Sequence, residues 1–376
     1  MKNKDSAVII GTYINAYSIY KGLKEISFQG DIYAIDTRVE KTKTFLEVMT
    51  DDVKVIKKKL ETVEDIIEIV NSISADKRYM FFTDEECIDI IKEAITGERI
   101  SGVVAFTGSG IDNKLIFNRY EFYQFIEKNQ LAIVPQTISS DVDPFDTIGN
   151  RFIIRPNNSW EDNIKTPRLS IVESKEQLEE IEQGYLKLGM KRNMWCYQEV
   201  LSSESKHNLS VCGWYDEEEK LFLITRKVVQ HPPKTGCGDV VEVVEKYPHK
   251  LLEYAENILA ALKYRGPFEL EFVYDINTGR YCVIELNPRF WMQHELVEKN
   301  SDYYLIRKSL NQQCKPHLDL KYKYWINTNQ LIYRLLKGQI GIIRYLKQSI
   351  KAPGVRNSLK WTKYYFRLKK EMDRSY

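Results

Sequence analysis

The stretch from Phe268 to Trp291, FELEFVYDINTGRYCVIELNPRFW, decides how this chain is read. Residues 268–274 are apolar and aromatic with Glu269 and Glu271 at alternate positions, and residues 280–286 form a second β-rich run. Between them lies the polar segment Asp275-Ile276-Asn277-Thr278-Gly279, so the pattern predicts a β-hairpin. Side chains alternate faces along a strand, which groups Glu269 with Glu271, and Glu285 with Asn287 and Arg289 if the strand runs that far. Carboxylates and an amide on adjacent strands suit a hard divalent cation that keeps waters and meets phosphate oxygens, as Mg²⁺ does. Arg289 would point at the same anion. The plainer reading is an amphipathic strand with Glu269 and Glu271 in solvent and Glu285 in a salt bridge. Against it stands the apolar run Tyr281-Cys282-Val283-Ile284 just before Glu285, where a solvated carboxylate is out of place.

Upstream, Ala7 to Ile10 reads as a buried strand ending at Gly11, followed by a helix from about Asn15 to Glu25 and a second strand over Asp31–Asp36. This βαβ opening lacks G-x-G-x-x-G, since Gly11 is followed by Thr12-Tyr13-Ile14-Asn15, and dinucleotide binding is not expected there. Tyr79–Phe82, a helix around residues 85–94 and the run Gly102–Phe106 continue the α/β alternation. The expected fold is α/β and α+β. Its units are a parallel-sheet domain over 1–112, two further units over 113–190 and 191–318, and a basic, mostly helical extension over 319–376.

The segment Glu285-Leu286-Asn287-Pro288-Arg289, with Gly266-Pro267-Phe268-Glu269-Leu270-Glu271-Phe272 before it, resembles the metal-binding hairpin of the ATP-grasp superfamily. The resemblance lies closest to the D-aspartate ligase and carbamoyl phosphate synthetase-like branch. It implies Glu271, Glu285 and Asn287 as Mg²⁺ ligands, with Mn²⁺ as an alternative ion, and Arg289 on the transferred phosphate. Glu271 is preferred to Glu269 because it lies five residues after Gly266. Two lysines that touch nucleotide phosphates in the superfamily correspond to Arg119, in Asn118-Arg119, and Arg155, before Pro156. Arginine keeps the cation but presents a planar fork in place of an ammonium. The loop Asn157-Asn158-Ser159-Trp160-Glu161-Asp162 has no glycines to cradle phosphate. The strand Met194–Leu201 matches the adenine hinge, which implies nucleotide contacts at Gln198, Glu199, Val200 and Leu201, with Asn208 as a further polar ligand. The run Arg226–Pro233 places Lys227 on phosphate, with Arg226 as the structural alternative.

Composition agrees with a multidomain enzyme: 376 residues, 43% hydrophobic and 29% charged, with no run of about 18 apolar residues and no signal-peptide core. A cytoplasmic protein is expected, with the inner membrane face as a second location. The six cysteines are scattered without a CxxC pair, so neither disulfides nor zinc is indicated. Charge is uneven. Although the chain carries a net +2, residues 321–376 hold 14 Lys or Arg against only Glu371 and Asp373. Tyr322, Tyr324, Trp325, Trp361, Tyr364, Tyr365 and Phe366 are interleaved with these cations. The preferred reading of this tail is a helical subdomain whose aromatics pack on the enzyme while its cations stay solvated; an anionic membrane surface comes next, then a glycolipid pyrophosphate or a nucleic acid.

The resemblance implies an ATP-dependent carboxylate-amine ligase. Its partners would be ATP, a small carboxylate and an amine, with an amino acid or cell-envelope precursor among the candidates. A homo-oligomer is compatible with this. A nucleotide-binding regulatory module that has lost turnover, and a nucleic-acid or membrane-surface binder acting through the basic tail, are the alternatives.

Overall fold

The computed structural model describes residues 5–39, 43–85, 87–158, 160–161, 164–231, 237–351 and 354–356. Ser159 and Asp162 of the polar loop, Pro232 and Pro233, and the tail aromatics Trp361, Tyr364, Tyr365 and Phe366 lie outside these residues.

The chain opens with β1 (Ser6–Ile10), α1 (Ile14–Glu25), β2 (Asp31–Asp36), α2 (Phe45–Met49), β3 (Lys54–Lys57), α3 (Val63–Ser72), β4 (Arg78–Phe82), α4 (Ile88–Thr96) and β5 (Val103–Ala105). The strands form a parallel sheet in the order β3-β2-β1-β4-β5. All of β1 is buried because both faces of the sheet are covered: Ala7 and Ile9 enter one core, Val8 and Ile10 another. Two of the helices start where the sequence supplies caps: Thr44 and Glu47 open α2, and Thr62 and Asp65 open α3, as reciprocal capping boxes. At the carboxyl end of β1, Gly11 adopts φ +108°, and a Cβ there would fall 2.2 Å from Thr83 Oγ1. Only glycine lets the ends of β1 and β4 come so close.

A second unit runs through α5 (Asn113–Phe117), α6 (Arg119–Lys128), β6 (Thr137–Ser139), α7 (Pro144–Thr147), β7 (Phe152–Pro156), β8 (Trp160–Glu161), β9 (Ile164–Lys165), β10 (Ser170–Val172), α8 (Lys175–Lys187) and β11 (Trp195–Glu199). Its main sheet is antiparallel, β10-β7-β11-β6, over a core of Phe152, Ile154, Val172, Tyr185, Trp195 and Tyr197.

The third unit contains β12 (Leu209–Tyr215), β13 (Lys220–His231), β14 (Cys237–Val243), α9 (Lys250–Ala261), β15 (Gly266–Asp275) and β16 (Arg280–Asn287). After these come α10 (Glu295–Asn300), α11 (Tyr304–Ser309), β17 (Tyr324–Ile326), α12 (Thr328–Leu336), α13 (Ile342–Ser349) and β18 (Gly354–Arg356). Seven strands order as β16-β15-β12-β13-β14-β17-β18, antiparallel except for the last pair. Leu251, Ala255, Ile258 and Leu259 of α9 cover one face, against Leu270, Phe272 and Val283 of the hairpin. The basic segment beyond residue 319 is partly built into this sheet. Trp325 and Ile326 of β17 are fully buried, while α12 and α13 supply its helical part.

The first unit docks on the hairpin. Phe290 N donates to Phe82 O at 2.9 Å, Asn15 Nδ2 reaches both Thr83 O and Phe290 O at 3.2 Å, and Thr107 Oγ1 donates to Pro288 O. The second unit touches it too, with Tyr123 Oη donating to Ile284 O at 2.7 Å and Val283 N to Ile133 O at 2.8 Å. All three units therefore converge on one end of the hairpin.

Candidate active site

The hairpin register sets Glu269 opposite Asn287 and Glu271 opposite Glu285, then slips so that Phe272 opposes Val283. That irregularity matters. Simple alternation would put Glu285 on the face of Val283, which is buried in the apolar core; the bulge at Ile284 returns it to the face of Glu269 and Glu271. The strand ends at Asn287, yet Arg289 still reaches this face, its Nη2 lying 3.3 Å from Asn287 Oδ1.

Four cations gather around this face, three from β13, α6 and β7 and one from the segment after β16. Lys227, on β13, places Nζ 2.7 Å from both oxygens of Glu271. Arg119, the first residue of α6, donates from Nη2 to Glu285 Oε1 at 2.8 Å. It is held there because Asn118 caps the helix, its side chain accepting from Glu121 N. Arg155, on β7, donates to Gln198 Oε1 at 3.1 Å. Arg289 donates from Nε to Glu85 Oε1 at 2.8 Å. Arg226, the neighbour of Lys227, turns away into an ion pair with Glu242.

Charge and burial set the protonation states. Burial works against the Glu285 carboxylate, but Arg119 and Arg155 outweigh it and hold its pKa below the usual value. Glu269 has no cation in direct contact among the described residues; burial and the neighbouring Glu271 push it up to about 8. Burial opposes the charge on Lys227, and Glu271 with Glu269 more than restores it. Arg155 goes the other way: burial and the nearby Arg119 lower its pKa. The Glu285 side chain remains 37% exposed, so the carboxylate can be reached from solvent.

On the nucleotide side of the resemblance, Gln198 is buried and ties Arg155 to β11. Glu199 closes the strand end: its N–H donates to Gln136 O at 2.9 Å, and its carboxylate accepts from Gln136 N at 2.8 Å. Val200 and Leu201 leave the strand as partly buried loop residues. Asn208 accepts from Ser203 Oγ at 2.6 Å, apart from the carboxylate cluster.

One participant was missed from sequence. Glu85 sits just beyond the carboxyl end of β4, where open parallel sheets present ligand-binding groups, and that position was the available signal.

Among the described residues, no group of three or more His, Cys, Asp and Glu side chains could by itself hold a metal ion. The donors that could share one are mixed: Glu271 and Glu285, opposite each other across the hairpin, with the Asn287 amide on the same strand as Glu285. Two carboxylates and one amide are the few protein donors that an Mg²⁺ ion keeping several waters would use, rather than a closed cage. A second sign of an anionic ligand is Arg119 Nε, buried with no hydrogen-bond partner among the described residues. Among the described residues, Cys196, Cys212, Cys282 and Cys314 are free thiols. Among the described residues, no helix is long and apolar enough to cross a membrane.

Residues 225–315, which carry Lys227 and the whole hairpin, match the family described as the ATP binding domain of the carbamoyl-phosphate synthase L chain. No curated protein matches the sequence. Among solved structures, N5-carboxyaminoimidazole synthetase from Staphylococcus aureus superposes with a TM-score of 0.64 at 14% identity, over 90% of this chain and 86% of that one. The L-amino acid ligase from Bacillus licheniformis gives 0.59 at 13% identity, over 82% and 74% of the two chains. The biotin carboxylase domain of Hydrogenobacter thermophilus 2-oxoglutarate carboxylase, solved with MgADP, ADP and bicarbonate, gives 0.62 at 12% identity, over 86% and 74%. The chain has the ATP-grasp fold.

Proposed function

We propose that this chain is an ATP-dependent carboxylate-amine ligase. The observation that carries the reading is the meeting of Glu271, Glu285 and Asn287 with Arg119, Arg155, Lys227 and Arg289 at the junction of three units. In this arrangement Lys227 and Arg119 neutralise the two carboxylates across the hairpin. Glu271 and Glu285 would hold Mg²⁺, and Arg119 and Lys227 would then turn to phosphate oxygens, so that no buried charge is left unpaired.

Phosphoryl transfer needs positioning and charge neutralisation more than a protein nucleophile. A substrate carboxylate oxygen attacks the γ-phosphorus, the bond to the bridging oxygen breaks, and ADP leaves with that electron pair. An amine then attacks the acyl carbon of the acylphosphate, and inorganic phosphate departs as the amide forms. When bound, Mg²⁺ on Glu271, Glu285 and Asn287 would screen the phosphate charge. Arg289, oriented by Glu85 and Asn287, is assigned to the transferred group. Arg119, Arg155 and Lys227 are assigned to the phosphates. Gln198, Glu199, Val200 and Leu201 are assigned to the adenosine, with Asn208 at its edge.

The enzymes that share the fold include an L-amino acid ligase, which supports an amino acid as substrate class. Hydroxylamine tests the intermediate: with ATP, Mg²⁺ and a panel of amino acids and uronic acids, it should trap the acylphosphate as a hydroxamate. ADP formation with no hydroxamate for any acid that stimulates it would reject the acylphosphate.

A further inference from the structure

Helix α13 turns three chemically different faces outward and inward. Tyr345, Gln348 and Ser349 are half-buried toward the body of the chain, where Tyr345 packs against Val229, Val240, Ile326 and Leu331. On another side, at helical spacing, Ile342, Ile343 and Leu346 are 63%, 70% and 52% exposed. Ile350, one residue past the helix, extends that stripe at 72% exposure, and Leu336 at the end of α12 is 70% exposed. Large aliphatic side chains occur singly on ordinary protein surfaces; five along one short segment mark a contact surface.

The third face is cationic. Arg344 and Lys347 are exposed beside the apolar stripe, and Lys337 and Lys351 flank it over the rings of Tyr333 and Tyr324. Between Asp319 and Glu371 the sequence contains no acidic residue at all, so no acid close in sequence answers these cations.

We propose that α13, with the end of α12, docks this protein on an anionic lipid bilayer. The apolar stripe enters the boundary between headgroups and acyl chains, and Arg344, Lys347 and Lys337 meet the headgroup phosphates. The chemistry selects this occupant. Eight helical residues extend about 12 Å, far short of the roughly 30 Å of hydrocarbon needed to span, so the helix lies in the interface. A nucleic acid would use the cations but leave the aliphatic stripe in water. A second copy would cover the stripe but bring two acid-free basic segments together. Apolar insertion and a polybasic segment are the two signals that together make peripheral attachment stable. This surface is remote in sequence from the hairpin residues, and the inference does not depend on the ligase reading.

Flotation of the full chain with phosphatidylcholine vesicles, with and without phosphatidylglycerol, tests it. The protein should float with the anionic vesicles and far less with the neutral ones. The double variant Ile343→Glu, Leu346→Glu should bind anionic vesicles at least about tenfold more weakly. Arg344→Glu with Lys347→Glu should weaken binding by a similar factor and flatten its dependence on salt. All four positions are exposed, so each variant should melt with the wild type. The proposal is overturned if the wild type stays with the soluble fraction, or if Ile343→Glu, Leu346→Glu floats as well as the wild type. It is also overturned if light scattering shows a dimer dissolved by that variant while vesicles bind neither protein.

Discussion

Arg119 donates to Glu285 at 2.8 Å across 166 residues of sequence, joining the first residue of the helix α6 to the carboxylate face of the hairpin. This contact ties the second unit to the third at the point where the proposed chemistry takes place. Glu285→Gln keeps an acceptor for Arg119 but removes the negative charge. The variant should fold normally and form ADP about a hundredfold or more slowly, the usual scale for removing one preorganised electrostatic contact. Steady-state ADP release beside an unfolding curve separates the two effects.

Lys227 and Glu271 form the second such pair, with side chains only 19% and 17% exposed. Lys227→Met leaves Glu271 without its cation in a largely desolvated place. The expected cost is about 3 kcal/mol of unfolding free energy, measured in urea. Mg²⁺ should recover part of that loss, because a divalent ion can answer the stranded carboxylate. A variant as stable as the wild type without Mg²⁺ would show that the pair is not buried as described.

Arg155 has an amide, not an acid, as its side-chain partner: Gln198 at 3.1 Å on the hinge strand β11. Its charge is therefore available to an anionic ligand. Arg155→Met should weaken ATP binding at least about tenfold, whereas Arg155→Lys should retain most of the affinity through the retained charge. Equal affinities for wild type, Lys and Met variants in a calorimetric titration would remove Arg155 from the phosphate site. If ATP binds but no carboxylate ever stimulates turnover, the arginines at 119 and 155 instead mark a regulatory nucleotide binder.

Much of this site was legible in the sequence, and the remainder was hidden for identifiable reasons. The hairpin over Phe268 to Trp291 is local, and the alternation of Glu269 and Glu271 with apolar neighbours records which face is polar. The βαβ opening was equally local, with α1 starting at Ile14 and β2 occupying Asp31–Asp36 as expected. The bulge at Ile284 was not, since it depends on pairing with β15 and on Val283 seeking the core under α9. Nor could spacing reveal Glu85 beside Arg289, 204 residues away, because docking of the first sheet on the hairpin creates that contact. Of the basic tail, composition suggested aromatics packed on the enzyme, as Trp325 is, but it could not show that Tyr324–Ile326 does so as strand β17 paired with β14 in the large sheet.

His294 gives a pH prediction free of the site's charges. It is fully buried, its Nδ1 lies 2.7 Å from Trp291 O, and its Nε2 has no partner among the described residues. Burial lowers its pKa from 6.5 to about 4, so the folded chain holds it neutral. The unfolded chain binds the proton first as pH falls. Its stabilising contribution is therefore complete above pH 6.5 and is lost as pH falls toward 4, by about 3 kcal/mol for a shift of this size. Urea unfolding across that window should be less pH-dependent in His294→Gln than in the wild type; parallel curves would contradict the assignment.

The central claim is tested most directly by ADP release. Purified protein with ATP and Mg²⁺ should form ADP slowly alone and faster when some amino acid or uronic acid in a broad panel is added, and Glu285→Gln should abolish the stimulation. Failure of every acid to elicit ADP, together with unchanged ATP affinity in Glu285→Gln, would contradict the account.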